Sequence, residues 1–317
     1  MAFDSLEGAI LPEGNMFGIT VEPSFGFLYG QSREIVFDTG DESTQGMSSS
    51  NGYYLSELIW DITDVLYTGM SASLNFQNRV YVNFGIWKAV TDGSGYMNDY
   101  DWVLQDKYGA YNILHDRDGK TDLSHWSLST VDIVNSVLID ANGSYDFLEN
   151  PNWSLLSVMG YKYLFWDWTD SIIDSEYDGI EDVIEVGTNG IDYRLALHIP
   201  YIGLRGGYRS RYGFFLKANI GYSPFVFGMD HDHHILRGLH FYDRTYFGQY
   251  LSGTLEAGIQ LSPLFSLKFL ISGEYLFESK GITYAYYDSG TPAGTFPGGA
   301  GIQYQSLSLS LNAAFSF

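Results

Sequence analysis

Gln305-Ser306-Leu307-Ser308-Leu309-Ser310-Leu311-Asn312-Ala313-Ala314-Phe315-Ser316-Phe317 is the stretch on which the fold turns. Leu307, Leu309, Leu311, Ala313, Phe315 and Phe317 share one parity. Ser306, Ser308, Ser310, Asn312, Ala314 and Ser316 share the other. Successive side chains of a strand point to opposite faces, so one face is greasy and the other small and polar. A soluble sandwich could contain one such strand. A strand between lipid and a polar lumen requires the pattern.

The pattern recurs. Phe17, Ile19, Val21, Phe25, Phe27 and Tyr29 alternate with Gly18, Thr20, Glu22, Ser24, Gly26 and Leu28. Val80, Val82, Phe84 and Ile86 alternate with Tyr81, Asn83, Gly85 and Trp87. Leu267, Phe269, Ile271, Tyr275 and Phe277 oppose Lys268, Ser272, Glu274 and Glu278. Between these, Leu58, Trp60, Ile62, Leu66, Met70, Leu74 and Phe76 read as a lipid-facing row, interrupted at Asp64 and Thr68. Glu57, Asp61, Thr63, Tyr67, Ser71, Ser73 and Asn75 read as the inward row. Charges on an inward row fit a wet lumen rather than a dry core.

Composition agrees. The 317 residues include 36 Gly, 26 Tyr, 21 Phe, 7 Trp and no Cys. No run of 18 apolar residues provides a membrane helix. The formal charge of −22 argues against nucleic acid and for cationic partners. Lack of Cys fits a chain that crosses an oxidising compartment unaided. Met1-Ala2-Phe3-Asp4-Ser5 has neither a basic n-region nor an apolar h-region, and reads as a mature start with an added Met and no export signal.

Short connections are expected near Gln77–Arg79, Glu149–Asn152, Arg205–Ser210 and Ser262–Phe265. Long ones are expected at about 31–51, 91–126, 167–191, 229–245 and 287–301. Their alternation predicts an all-β, ten-stranded antiparallel transmembrane barrel, one domain over 1–317, with both termini on one side. Short turns lie on the periplasmic side of such barrels and long loops outside. The 167–185 stretch carries Asp167, Asp170, Asp174, Glu176, Asp178, Glu181, Asp182 and Glu185 without Lys or Arg, and reads as a solvated acidic loop with a calcium site as the alternative.

The chemistry concentrates in Asp230-His231-Asp232-His233-His234. Asp230, Asp232 and His234 share one parity. A carboxylate beside a histidine fixes its tautomer and stabilises its protonated form, as a general base near neutral pH requires. Metal binding through His231, His233, His234 and the acids, or a solvated loop with no task, fits the tract as well. Asp99 and Asp101 lie at i and i+2 in another outer connection and keep the inward parity of Trp87. Glu34 keeps the inward parity of the first strand. The register is imperfect: Lys217, Asn219 and Ser223 read as inward, which would send Asp230, Asp232 and His234 outward. A bulge near Pro224 or Gly228 is required to restore them.

With these motifs in view, the chain resembles the omptins, outer-membrane barrel proteases that cut beside basic residues. The resemblance runs the whole length. It is carried by Glu57-Leu58-Ile59-Trp60, Trp87 with Asn98-Asp99-Tyr100-Asp101-Trp102, Pro200-Tyr201-Ile202-Gly203-Leu204, the Asp230–His234 tract and the closing strand. It implies that Asp99 and Asp101 are the catalytic acid pair, Asp232 and His234 the Asp–His couple, and Glu34 and Asp230 the acids that hold a basic side chain. It implies a catalytic water, no metal and no other cofactor. Two departures stand out. Thr121-Asp122-Leu123-Ser124 meets only part of a second-loop motif: Lys120 replaces a Trp, His125 sits one place early, and Trp126 and Ser127 take the His-Pro places. Tyr163, Phe165 and Ala196 occupy positions where the family presents lipopolysaccharide-binding Glu and basic residues, so the lipopolysaccharide requirement is expected to differ. The expectation is a monomeric endopeptidase of the bacterial outer membrane, its site facing outside among outer-membrane lipid, acting on cationic peptides or proteins. A non-enzymatic barrel, an adhesin or small channel with acidic loops, is the competing reading; a metal-dependent hydrolase is a second. The natural substrate is not legible.

Overall fold

The computed structural model describes residues 17–39, 54–103, 105–106, 109–110, 116–148, 150, 152–181 and 183–317. The expectation about Met1–Ser5, the outer part of the first loop and Asp182 lie outside them. The elements are β1 (Phe17–Phe37), β2 (Tyr54–Phe76), β3 (Val80–Ala89), β4 (Gly95–Asp101), β5 (Gln105–Asp106), β6 (Gly109–Ala110), β7 (His125–Asp146), β8 (Trp153–Tyr177), β9 (Ile180–Glu181), β10 (Ile191–Arg209), β11 (Phe214–His234), β12 (Leu239–Ser262), β13 (Phe265–Tyr287) and β14 (Pro292–Ser316), with one 3₁₀ turn at Ile235–Arg237. All long-strand pairings are antiparallel, and β14 pairs back onto β1. β3 and β4 both bridge β2 to β7 and share one place. The ring therefore has ten places, as the alternating turns predicted.

The lower half obeys the sequence pattern. Phe25, Phe27, Val82, Phe84, Ile86, Ile220, Leu255, Phe269 and Leu311 are exposed on the outside, while Glu22, Asp140, Lys162, Lys217, Glu256, Lys268 and Glu274 are buried in the lumen. Buried charges need partners. Lys162 lies 2.5 Å from Glu274 and 3.9 Å from Asp140, which also accepts from the Tyr201 hydroxyl. Lys268 lies 2.5 Å from Glu22. Aromatic pairs at the short-turn end, Phe17–Phe76, Trp153–Tyr208 and Phe265–Phe315, form the girdle expected where such a barrel meets the lipid headgroups.

Higher up, strands change phase at bulges. An extra residue interrupts β2 at Asp64, β7 at Val134, β11 between Ser223 and Val226, β12 between Thr245 and Gly248, and β13 between Leu276 and Ser279. Asp64 and Phe247 take positive φ there. Phe225, Phe247 and Phe277 at these points face outward, a second aromatic level above the greasy belt.

Above this level the expected map needs correction. Leu58, Trp60 and Ile62 face inward. Trp60, Trp168 and Tyr193 stack within 6.1 Å, Trp166 joins Trp168 at 5.7 Å, and with Leu195, Leu197 and Ile302 they form an apolar plug across the bore. Apolar side chains fill the bore at this level, so the polar-inward rule fails there. The stretches 229–245 and 287–301 are strands joined by tight reversals at 235–238 and 288–291, not long loops. The turn expected at Arg205–Ser210 falls later, where Gly213 takes φ 85. Most of the acidic stretch is strand β8. Asp167 lies 3.2 Å from Arg194, Glu176 lies 2.7 Å from Arg117, and Asp170 accepts from Ser129 and the Gly190 and Ile191 amides.

Candidate active site in the outer mouth

The β11 bulge does what the sequence required. Lys217, Asn219 and Ser223 are buried below it; Val226, Gly228, Asp230 and Asp232 are buried above it. The strand itself carries Asp230 to His234 into the mouth, rather than a loop base. β12 changes phase at the same level, so Asp243 also turns inward opposite Asp230.

Two rows face one another across the mouth. On one side Glu34, Leu58 and Asp99 are neighbours across β1, β2 and β4. On the other, Tyr193, Asp232 and Phe241 are neighbours across β10, β11 and β12. His234 Nε2 lies 2.6 Å from Asp232 Oδ2. That contact commits Nε2 to the carboxylate and leaves Nδ1 as the free nitrogen of a neutral ring. Arg237 Nη1 stands 3.5 Å from Nδ1, at the outer limit of a hydrogen bond.

Asp99 is buried and faces Ser56 Oγ at 3.5 Å, while Asp101 is half-buried at the end of β4. Burial raises the Asp99 pKa well above the usual carboxylate value, and the charges of Asp101 and Asp232 raise it further, against Arg237. The Asp99–Asp101 pair and the Asp232–His234 couple therefore sense each other across one space.

Glu34, Asp230 and Asp243 form a second group. Their exposures are 2%, 5% and 1%, and a carboxylate oxygen from each lies within 4.8 Å of the others. Asp230 accepts from the Asp243 amide at 3.2 Å and from the Tyr193 hydroxyl at 3.3 Å. Glu34 Oε2 and Asp243 Oδ1 accept no hydrogen bond among the described residues. Burial pushes the Glu34 carboxyl up, and Asp232, Asp230 and Asp243 add to it. Burial, then the charges of Asp243 and Asp232, do the same to Asp230. Asp243 is pushed up to about 7 by burial, with the Thr283 hydroxyl opposing and the Asp232 charge assisting.

All six residues singled out in the sequence thus meet in the mouth. Asp243 and Arg237 were missed. The signal for Asp243 was available: a reversal ending at Gly238 pairs Asp230 with Asp243. Of the tract's three histidines only His234 joins the acids. His231 and His233 occupy the opposite face of the strand, which separates them from Asp99 and Asp101. The partly matched second-loop motif is a scaffold: Ser124 accepts from the Val103 amide at 2.8 Å, the Trp102 indole donates to Thr121 O at 2.8 Å, and Leu123 and Trp126 pack with Tyr100 and Trp102. Lys120 pairs with the fully buried Glu57, as does Arg33.

A closed antiparallel barrel with a greasy belt is an outer-membrane architecture, here with acids and a histidine gathered at its mouth. The Omptin family model matches residues 15–317, and the chain belongs to that family. The chain is 26% identical over 256 residues to the plasminogen activator of Yersinia pestis, covering 80% of this chain and 75% of that protein. It is 24% identical over 309 residues to protease 7 of Escherichia coli K12, covering 94% and 90%. It is 26% identical over 309 residues to the outer membrane protease IcsP of Shigella flexneri, with the same coverage. The crystal structure of the outer membrane protease OmpT from Escherichia coli superimposes with a TM-score of 0.80 at 21% identity, over 96% of this chain and 99% of that one, and shows the shared fold. The protein is an outer-membrane protease, and its substrates are peptides or proteins. The non-enzymatic reading falls with that result.

Proposed function

We propose that this protein is an endopeptidase that cleaves next to Arg or Lys, using a water held between Asp232–His234 and Asp99–Asp101. His234 Nδ1 takes a proton from the water as its oxygen attacks the scissile carbonyl carbon. Asp232 keeps Nε2 protonated and steadies the imidazolium that forms. The developing oxyanion meets the Asp99–Asp101 pair, where a proton on buried Asp99 makes that carboxyl a donor. Return of the proton to the leaving nitrogen breaks the C–N bond, giving a carboxylate and an amine. The site acts with water alone and needs neither metal nor other cofactor.

The observation that carries the specificity is the buried acid group Glu34, Asp230 and Asp243, in which Glu34 Oε2 and Asp243 Oδ1 accept no hydrogen bond among the described residues. Like charges in a dry pocket repel, and a substrate cation relieves that repulsion. A planar guanidinium bonds carboxylates bidentately, so Arg should exceed Lys. A neutral side chain leaves the acids unpaired, at a cost on the order of 1–3 kcal/mol for each buried group. The net negative charge draws cationic substrates towards the mouth. The test is the ratio of kcat/KM for matched Arg and Ala peptides, with excess chelator throughout. Glu34→Gln and Asp230→Asn should each lower the ratio, and the double variant should lose most of it. A wild-type ratio in the double variant sinks the pocket assignment. Loss of wild-type activity in chelator sinks the metal-free chemistry.

A further inference from the structure

His231 and His233 take no part in the mouth, and their surroundings on the outer face of the barrel suggest a separate task. β11 and β12 are antiparallel there, and His233 lies directly opposite His240. The two imidazoles are 4.0 Å apart between centroids and inclined by 15°. Asp288, in the reversal between β13 and β14, reaches both. Its Oδ1 is 3.5 Å from His233 Nε2 and 3.2 Å from His240 Nε2. His233 Nε2 is shielded from solvent and has no hydrogen-bond partner among the described residues. The two reversals are already in register, since the Asp288 amide donates to Gly238 O at 3.0 Å.

We propose that His233, His240 and Asp288 form a binding site for a divalent transition metal of the Zn²⁺ class, on the outer face of the barrel tip. Metal–ligand bonds of about 2.0–2.1 Å in a tetrahedron put ligand atoms roughly 3.3–3.4 Å apart. The two nitrogen–oxygen separations bracket that value and all three ligand atoms lie within 4.8 Å of one another, so the ion needs the near-parallel imidazoles to rotate until both Nε2 lone pairs converge on it. Two imidazoles and one carboxylate suit Zn²⁺; Ca²⁺ and Mg²⁺ prefer all-oxygen sets. Three protein ligands leave a fourth position for water, and all three residues reach solvent in part. A metal-bound histidine usually donates its second ring N–H to an outer acceptor. His240 has one: its Nδ1 lies 3.0 Å from His231 Nε2. The tract's two remaining histidines thus divide into a ligand and the partner that orients the other ligand. The ion would pin the β11–β12 tip to the β13–β14 reversal. It would do so on the face opposite Asp232 and His234, without displacing them.

The test uses the full chain in detergent, stripped with chelator, dialysed, and titrated with Zn²⁺ against a chromophoric competitor. One tightly held ion per chain is expected, with Co²⁺ in its place giving the visible absorption of a tetrahedral site. The His233→Ala/His240→Ala variant should bind on the order of 10²-fold or more weakly, since losing even an outer partner of a ligand costs 10–100-fold. The His234→Ala variant should bind as the wild type does. Zn²⁺ should raise the temperature at which the folded band is lost in gel mobility for wild type, and not for the double variant, because only the native tip holds the ion. No binding by the wild-type chain below about 100 µM, where a three-ligand Zn²⁺ site should saturate, overturns the proposal. So does undiminished binding in the double variant, or an equal loss in His234→Ala, which would move the ion into the mouth.

Discussion

At the scale of single residues, the His234–Asp232 contact makes the sharpest demand. In the proposed mechanism Nε2 is committed to Asp232 at 2.6 Å, so the water's proton goes to Nδ1. Asp232→Asn offers the ring either an amide donor or a poorer acceptor, and His234→Ala removes the base. Each should lower kcat by roughly 10²–10⁴-fold, the usual range for a lost general base. Asp99→Asn should be similarly harmful, because it removes an acid whose protonation is set by burial and by Asp101 and Asp232. Steady-state kinetics beside an unchanged folded gel mobility checks all three, and near-normal turnover removes the residue concerned from the chemistry. Asp243 adds a pH signature. Its carboxyl is held up to about 7, against the ordinary value of 3.8. Between those values the folded protein keeps a proton that the unfolded chain releases. Stability should therefore fall as pH rises through this window. A substrate guanidinium favours the ionised pocket, so KM for an Arg peptide should fall as pH rises through about 7. Asp243→Asn should flatten that fall in KM and lessen the loss of stability. A KM profile identical to wild type would show that another group sets it.

At the scale of elements, the phase change in β11 decides which face of the strand enters the mouth. Side chains alternate with period two, so a one-residue slip exchanges the faces. A single Ser inserted between Phe227 and Gly228 should turn Asp230, Asp232 and His234 outward and His231 and His233 inward. Activity should fall to background while the lower strand pairing, and hence heat-modifiable mobility, persists. Activity within a few-fold of wild type would mean that the bulge does not aim these residues. The sequence revealed this bulge because Lys217 and Asp230 lie on opposite parities and both had to face inward. The lower strands were legible for a simple reason: lipid outside and water inside impose opposite polarity on the two faces. Above the upper aromatic level that contrast disappears. Trp60 points into an apolar plug and His233 lies on the outer face against His240, so hydropathy no longer reports orientation. The sequence pattern therefore places Asp230–His234 in a loop although it is strand, and gives no mark to Asp243 on its partner strand. Glu34 is legible because β1 keeps its phase from Glu22, whereas Asp99 and Asp101 share the odd parity of Trp87 although they stand on a separate strand, β4, beyond the break at 90–94.

At the scale of the whole molecule, the barrel separates a structural lower lumen from a reactive mouth. Lys162 with Glu274 and Lys268 with Glu22 neutralise one another below, and the stacked Trp60, Trp168 and Tyr193 seal that region from the acids above. The mouth thus depends on the upper wall keeping its shape, and outer-membrane lipid meets that wall from outside. The positions where family resemblance expects a lipopolysaccharide contact are Tyr163 and Phe165 on β8 and Ala196 on β10. Ala196 lies directly opposite Phe165. Tyr163 packs against His198, ring centroids 5.1 Å apart, instead of presenting a charge. Arg194, two residues further up β10, has its Nε 3.2 Å from Asp167, so its charge is already partly met. None of Tyr163, Phe165 and Ala196 carries a positive charge to pair with a phosphate, and only the Tyr163 hydroxyl could donate to one. The wall is held there by ring packing and by unbroken pairing of β8 with β10, while the β10–β11 ladder is interrupted only between His198 and Ile202. Protein refolded in detergent without lipopolysaccharide should therefore cleave an Arg-containing peptide, and adding lipopolysaccharide should change kcat/KM by less than about tenfold, a coupling of less than roughly 1.4 kcal/mol. Strict dependence on the lipid would mean that phosphates are gripped through other groups, and Arg194→Ala would be the next variant to make.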